Sequence, residues 1–408
     1  MCDDSCMTKP MQGVKVVELA SWTFVPAAGA VLADWGADVI KIEHPKYGDP
    51  QRALVIGGID SSGISFIMEI ANRGKRSVGL DVGSEAGRDV LFEMIRQADV
   101  FLTNFLPDAR QRLKIDVEDI KAVNPRCIYV RGSGHGPKGP DAPKAGYDGT
   151  AYWARGGVAH SLTPPEREWP VNQTAAIGDL PGGMTIAGAI SAALFHRERT
   201  GEATVVDVSL LATAMWSMQP GIVATYLHDM DKMPRQERSE NRNPISIHYR
   251  TKDGRFFKLS MLESDRWWPD LCRHIERPDL IDDPRFVDAA ARTKNSAECV
   301  AELDAVFATR TLEEWRAAFD TLAGAWAPVQ SVKEIHDDVQ AHANGYLREV
   351  THHDGTRYRL VAAPAQFDLE PPDLEPCPEH GQHTELVMLE LGYDWDRITE
   401  LKKAGTIT

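Results

Sequence analysis

Val14 to Leu19 is a short run rich in β-branched residues, and Pro26 with the small residues Ala27 to Ala33 follows it, which predicts a strand leading into a helix packed tightly on a sheet. The apolar run recurs at Asp38 to Ile42 and at Ser77 to Leu80. Ser84 to Gln97 then reads as a helix, and Val100 to Asn104 and Cys127 to Arg131 read as further strands. Strands and helices alternating at this spacing predict a Rossmann-like α/β fold with a doubly wound parallel sheet. Between Ala175 and Arg199, the residues Met184, Ala187, Ile190, Ala193 and Leu194 recur on one helical face, and Thr200-Gly201 supplies a stop before a strand at Thr204 to Leu210.

After Tyr226 the chain turns charged and proline-broken through Arg242, Asn243 and Pro244, which divides a large domain, residues 1–225, from a smaller α+β domain, residues 226–340. In the latter, His248 to Met261 reads as a hairpin turning at Thr251-Lys252-Asp253-Gly254-Arg255, because Asp-Gly supplies the positive φ angles of a tight turn. Amphipathic helices are predicted around Asp265 to His274, Ser296 to Ala308 and Leu312 to Leu322. The remainder, residues 341–408, reads as strand and loop with a closing helix at Glu385 to Leu391.

Composition narrows the function. With 408 residues, 43% of them apolar, the chain can bury more than one core, and a formal charge of −15 disfavours a general nucleic-acid partner. No apolar run spans a bilayer and the N-terminus lacks the features of a signal peptide, so a cytoplasmic protein without a membrane partner is expected. Six scattered cysteines are expected to be free thiols; Cys2 and Cys6 lack the second pair that a structural metal site requires, and no metal is expected.

Several motifs fail on their own terms. Gly134-His135-Gly136-Pro137-Lys138-Gly139 matches a dinucleotide fingerprint, but Pro137, Pro140 and Pro143 forbid the helix whose N-terminus would hold a pyrophosphate. His380 and His383 have ligand spacing but lie in a Pro- and Glu-rich stretch that reads as a solvated loop. The candidate that chemistry favours is Asp179, a carboxylate beside Gly178, Gly182 and Gly183 at a helix start, where small neighbours leave room for a bulky substrate and backbone N–H groups would keep it ionised. The alternative is an ordinary N-cap aspartate.

Met11-Gln12-Gly13-Val14-Lys15-Val16-Val17-Glu18-Leu19, Leu32 to Glu43, Asn72-Arg73-Gly74-Lys75-Arg76-Ser77, Asn104-Phe105-Leu106-Pro107, Ala175 to Gly183, His196 to Gly201 and Gly381-Gln382-His383-Thr384 together resemble, in order and over nearly the whole chain, the class III (CaiB/BaiF, formyl-CoA transferase-like) CoA-transferases. The resemblance implies that Asp179 attacks an acyl-CoA thioester, forms a mixed anhydride, and then carries CoA as an aspartyl thioester to a free carboxylic acid. It implies that Tyr147 and Asp148 position the acyl group. It also implies that His44, Leu80, Asn104, Phe105 and Arg112 bind CoA, with Lys75 and Arg76 adding positive potential or lying as solvated charges. Coenzyme A enters as part of the substrate, with no tightly bound cofactor.

Racemases of this fold place a histidine where Tyr147 stands, so the phenol argues for transfer over racemisation. A racemase-like enzyme and a non-catalytic CoA-binding protein are the alternative functions. His44 replaces the arginine common at its position, and Asn241 to Ser246 replaces a glycine-rich run of formyl-CoA transferase, which argues against oxalate as acceptor. Trp22, Phe24 and Trp153 are candidates for an acyl-site lining. Relatives form interlocked homodimers, each chain threading a ring made by the other, with the C-terminal segment returning to the large domain; the same is expected of this chain.

Overall fold

The computed structural model describes residues 9–59, 63–234 and 236–408; Cys2 and Cys6 lie outside them. The chain divides into two compact units, one running to Lys232 and resuming at Val339–Thr408, the other Met233–Asp338. The division falls beyond the helix Gln219–His228, which a boundary at residue 225 would cut.

The first unit is mixed α/β. Strands β1 (Lys15–Leu19), β2 (Asp38–Glu43), β3 (Arg76–Gly79), β4 (Val100–Thr103), β5 (Ile128–Ser133) and β6 (Val205–Ser209) form one parallel sheet in the order β3-β2-β1-β4-β5-β6. Val16 pairs with Val39 on one side and with Val100 on the other, so the strand order reverses between β1 and β4. In an open α/β sheet that reversal opens a crevice at the carboxyl ends of the strands.

Two cores cover the two faces. On one, the helix Phe24–Asp34 is buried along nearly its whole length and packs against Asp179–Thr200. The approach is close because Gly182 and Gly183 face it: a Cβ on Gly182 would come 2.4 Å from the Phe24 ring, and one on Gly183 would come 2.7 Å from Ala27 Cβ. On the other face, Glu85–Gln97 and Val117–Val123 join residues of the C-terminal segment, including Val387, Ile398 and Leu401. Thr384 Oγ1 accepts from Gly79 N–H (3.0 Å) and Gly381 N–H donates to Ser77 Oγ (2.9 Å), stitching that segment to β3. The helix Trp395–Lys403 was not legible in the sequence.

His380 and His383 lie half-buried in the loop that ends at the helix Thr384–Glu390. His380 Nε2 lies 3.0 Å from the His44 carbonyl, and Ser77 N–H donates to His383 Nδ1 (3.2 Å). Cys127, Cys272, Cys299 and Cys377 are free and buried. Among the described residues no helix is long and apolar enough to cross a membrane.

The second unit has an antiparallel sheet of His248–Arg250, Phe256–Leu259 and Trp326–Pro328, the first two joined by the predicted turn with Gly254 at φ +76°. The helices Ser264–His274, Ser296–Phe307 and Leu312–Ala318 bury Trp268, Phe307 and Trp315 against it.

Candidate active site

The loops after β1 and β4 meet where the strand order reverses. Asn104 clamps them, its Oδ1 accepting from Ser21 N–H (3.1 Å) and its Nδ2 donating to the Ser21 carbonyl (2.6 Å). The next residue, Trp22, takes φ +69°, a left-handed conformation that a bulky side chain avoids unless its surroundings hold it. Asp49 Oδ1 holds it by accepting from Trp22 N–H (3.2 Å).

Asp49 in turn belongs to a buried ionic cluster. Lys41 Nζ reaches Asp49 Oδ2 (2.9 Å) and Glu18 Oε1 (3.4 Å), and Lys75 Nζ reaches Glu18 Oε2 (2.8 Å), with all four side chains shut off from solvent. Burial presses both ammonium groups toward neutrality, but Lys41 faces Asp49, Glu18 and Glu43 and ends above the usual lysine value. Lys75 has Glu18 in its favour and Lys41 against it, and falls to about 8. Lys75 is thus a structural ion, neither a surface charge nor a phosphate contact. Arg76 is bound to Asp38 and Glu390.

Above this support lies a cavity of about 900 Å³, lined among others by Trp22, Phe24, Asn104, Phe105, Tyr147 and Asp179. Its size suits a small-molecule substrate. Asp179 is the first residue of the helix Asp179–Thr200, with Gly178 at the N-cap and no side-chain cap bond. The helix start is served from elsewhere: Gly178 N–H donates to Asp148 Oδ1 (3.1 Å), and the N–H groups of Ile177 and Asp179 also favour the ionised Asp148. Leu180 N–H and Gly182 N–H are taken by the carbonyls of Ala176 and Gly178. The expectation of spare N–H groups holding Asp179 ionised therefore fails, because Asp148 and the backbone take them. Burial, and then the charge of Asp148, push Asp179 up to about 7. Burial also raises Asp148, against the pull of those three N–H groups.

Gly178 makes the arrangement possible, since a Cβ there would strike Tyr152 Cγ at 2.2 Å and Asp148 Oδ1 at 2.6 Å. Gly182 and Gly183, expected to clear space for substrate, instead face the helix Phe24–Asp34. Asp148 opens a widened helical turn, Asp148–Ala154, a π geometry frequent at functional sites. Tyr147 precedes it, 54% exposed, with its ring edge-on to Trp22 at 5.9 Å.

Of the residues singled out from the sequence, Asp179, Tyr147, Asp148, Asn104 and Phe105 line the cavity together with Trp22 and Phe24. Trp153 is core, its indole N–H donating to the Val171 carbonyl (3.0 Å). His44 is exposed and stacked on Tyr47, Arg112 is exposed, and Leu80 is buried beside Ile407; none of the three is in the cavity wall. The wall's cation on the helix Pro107–Leu113 is Arg110, fixed by the Phe105 carbonyl (2.7 Å) and Asp116 (3.1 Å). Helical phase after Pro107 separates Arg110 from Arg112 and could have found it. Gln173, also in the wall, left no signal in the sequence.

A model of CoA-transferase family III matches residues 11–384. Among similar curated proteins are the (R)-2-hydroxy-4-methylpentanoate CoA-transferase of Clostridioides difficile, 34% identical over 97% of this chain and 99% of that protein. Another is the cinnamoyl-CoA:phenyllactate CoA-transferase of Clostridium sporogenes, 32% identical over 97% of each. A solved CAIB/BAIF family protein from Brucella suis superposes with a TM-score of 0.79 at 27% identity, covering 94% of this chain and all of that one.

Proposed function

Since this chain belongs to CoA-transferase family III and is an enzyme of that class, we propose that it moves CoA from an acyl-CoA to a free carboxylic acid through covalent intermediates on Asp179. The observation that carries this reading is a carboxylate at the wall of a 900 Å³ cavity, unpaired with any cation among the described residues and raised to about 7. When ionised, such a carboxylate is a stronger nucleophile than one at the ordinary carboxylate value.

Its oxygen bonds to the thioester carbonyl carbon, the C–S bond breaks, and CoA leaves as the thiolate. The thiolate attacks the Asp179 carbonyl of the mixed anhydride, releasing the first acid and leaving an aspartyl-CoA thioester. The acceptor carboxylate attacks that thioester, forming a second anhydride and freeing the thiolate, which then takes the acceptor acyl group and regenerates Asp179. Each step exchanges one activated acyl bond for another, so no ATP is consumed. The Asp148 charge favours the departure of anionic carboxylate and raises Asp179 basicity, and Tyr147 and Trp22 flank the acyl group. Asn104 and Phe105 are the CoA contacts that the cavity geometry supports.

A homodimer is part of the same reading: the helix Gln219–His228 buries none of its side chains, and Trp216, Tyr226 and Leu227 form exposed apolar surface that a second copy would cover. The test of the chemistry is Asp179→Ala. Exchange between an acyl-CoA and a labelled acid should fall by about 10⁴-fold or more, while CoA binding measured by calorimetry stays within a few-fold. Exchange persisting within tenfold would refute the assignment.

A further inference from the structure

Two consecutive residues in the loop after β1 break local rules of backbone chemistry. Trp22 sits at φ +69°, where glycine is at ease and a bulky side chain is strained. Thr23 is the N-cap of the helix Phe24–Asp34, yet its side chain makes no cap bond. A threonine there ordinarily accepts from the first turn of its own helix. Thr23 Oγ1 donates instead to Gln51 Oε1 (2.8 Å), 28 residues along the chain.

Gln51 is fully buried in the short turn Pro50–Ala53, and both ends of its amide are bonded. Oε1 accepts from Thr23, and Nε2 donates to the Ile67 carbonyl (2.8 Å). The Gln51 backbone N–H donates to Asp49 Oδ1 (2.9 Å), the same oxygen that accepts from Trp22 N–H. With Asn104 bonded to both sides of the Ser21 backbone, the peptide before Trp22 and the residue after it are each fixed from outside the loop. Trp22 therefore has no freedom to relax to a negative φ.

Packing gives no reason for an indole at this point. A glycine in place of Trp22 would take the same backbone without strain and leave Thr23, Gln51 and Ile67 where they are. Among the described residues, Trp22 is also outside the hydrophobic core that Phe24 joins two residues later. Its ring lies in the cavity wall, edge-on to Tyr147 at 5.9 Å, and Asp179 lines the same cavity.

We propose that Gln51, acting through Thr23, is a positioning residue that holds the Trp22 indole against Tyr147, and that CoA exchange depends on Gln51 only through that indole. The inference rests on the transferase reading given above. A wall group displaced by about 1 Å slows an enzyme by up to about 100-fold, even when the change lies away from the reacting atoms.

The experiment is a double-mutant cycle on kcat in the native chain, Gln51→Met, Trp22→Gly and the double variant. The donor is the fastest of a panel that includes butanoyl-, 4-methylpentanoyl- and 3-phenylpropanoyl-CoA, with acetate as acceptor. Gln51→Met should lower kcat by roughly 10- to 100-fold while the Kd of CoA stays within about twofold. In the Trp22→Gly background the same substitution should change kcat by less than about twofold, because no indole is left to misplace. A fall by the same factor in both backgrounds overturns the proposal, since a general structural role acts with or without the indole. A Gln51→Met rate within about twofold of native overturns it as well. Should Gln51→Met lack a cooperative urea transition, Thr23→Val decides by the same two comparisons, because it removes only the hydroxyl from which Gln51 accepts. Either adverse result leaves the transferase reading standing, since the native chain still exchanges CoA. A native chain that exchanges no acyl-CoA in a broad panel defeats the transferase reading and this inference with it.

Discussion

Glu18 and Asp179 are carboxylates drawn out of solvent in the same unit, and the chain treats them in opposite ways. Glu18 lies fully buried between Lys75 at 2.8 Å and Lys41 at 3.4 Å, in a cluster that also holds Asp49. Asp179 has no cation beside it, only the like charge of Asp148. The first arrangement offsets the cost of desolvating a charge and turns it into rigidity: Asp49 grips Trp22 and Lys41 grips the Ala20 carbonyl (2.9 Å), so the loop after β1 is held in an unfavourable backbone conformation. The second leaves the cost in place, and the carboxylate keeps the basicity that covalent chemistry needs. Buried charge is paired beneath the site and left unpaired at the cavity wall.

Removing the paired carboxylate is the harshest way to break the comparison. Glu18→Leu leaves Lys41 and Lys75 facing each other with Asp49 as the remaining close anion, and should cost about 3–5 kcal/mol in urea unfolding. A loss below about 1 kcal/mol would mean that the cluster is not a support.

The unpaired carboxylate should respond with the opposite sign. Asp179 is raised in the folded chain to about 7, so the folded state retains a proton that the unfolded state releases above about pH 4. The stability tied to that proton is complete below about pH 4 and is lost as pH rises through about 7. Asp179→Asn cannot ionise and escapes this loss. It should therefore be more stable than the native chain by about 1–3 kcal/mol near pH ~8, with the gain vanishing near pH ~4. A gain independent of pH, or a loss at pH ~8, would show that Asp179 is not held at the expense of stability.

The sequence displayed the parallel sheet clearly, because Val14 to Leu19, Asp38 to Ile42 and Val100 to Asn104 are apolar runs buried on both faces and spaced by helices. It displayed Asp179 through its glycine surroundings, but assigned two of those glycines to the wrong neighbour. Gly182 and Gly183 lie on the face of a 22-residue helix that meets Phe24–Asp34, a relation fixed by tertiary packing, which periodicity alone does not orient. Lys75 looked like surface charge because its carboxylate partner, Glu18, is 57 positions earlier and reaches it only when β1, β2 and β3 pair. Asp148 capping the helix of Asp179 from 30 residues away, and Gln173 lying over Gly149, are likewise contacts between distant segments with no local pattern.

The central claim is that the Asp179 carboxyl is itself acylated in every cycle, and hydroxylamine tests it most directly. An aspartyl-CoA thioester reacts with hydroxylamine to give an aspartyl hydroxamate and free CoA. Incubation of the native chain with a turned-over acyl-CoA and hydroxylamine, followed by peptide mass spectrometry, should find the hydroxamate on Asp179, with loss of activity in proportion to its formation. An unmodified Asp179 in a chain that is exchanging CoA at full rate would contradict the account.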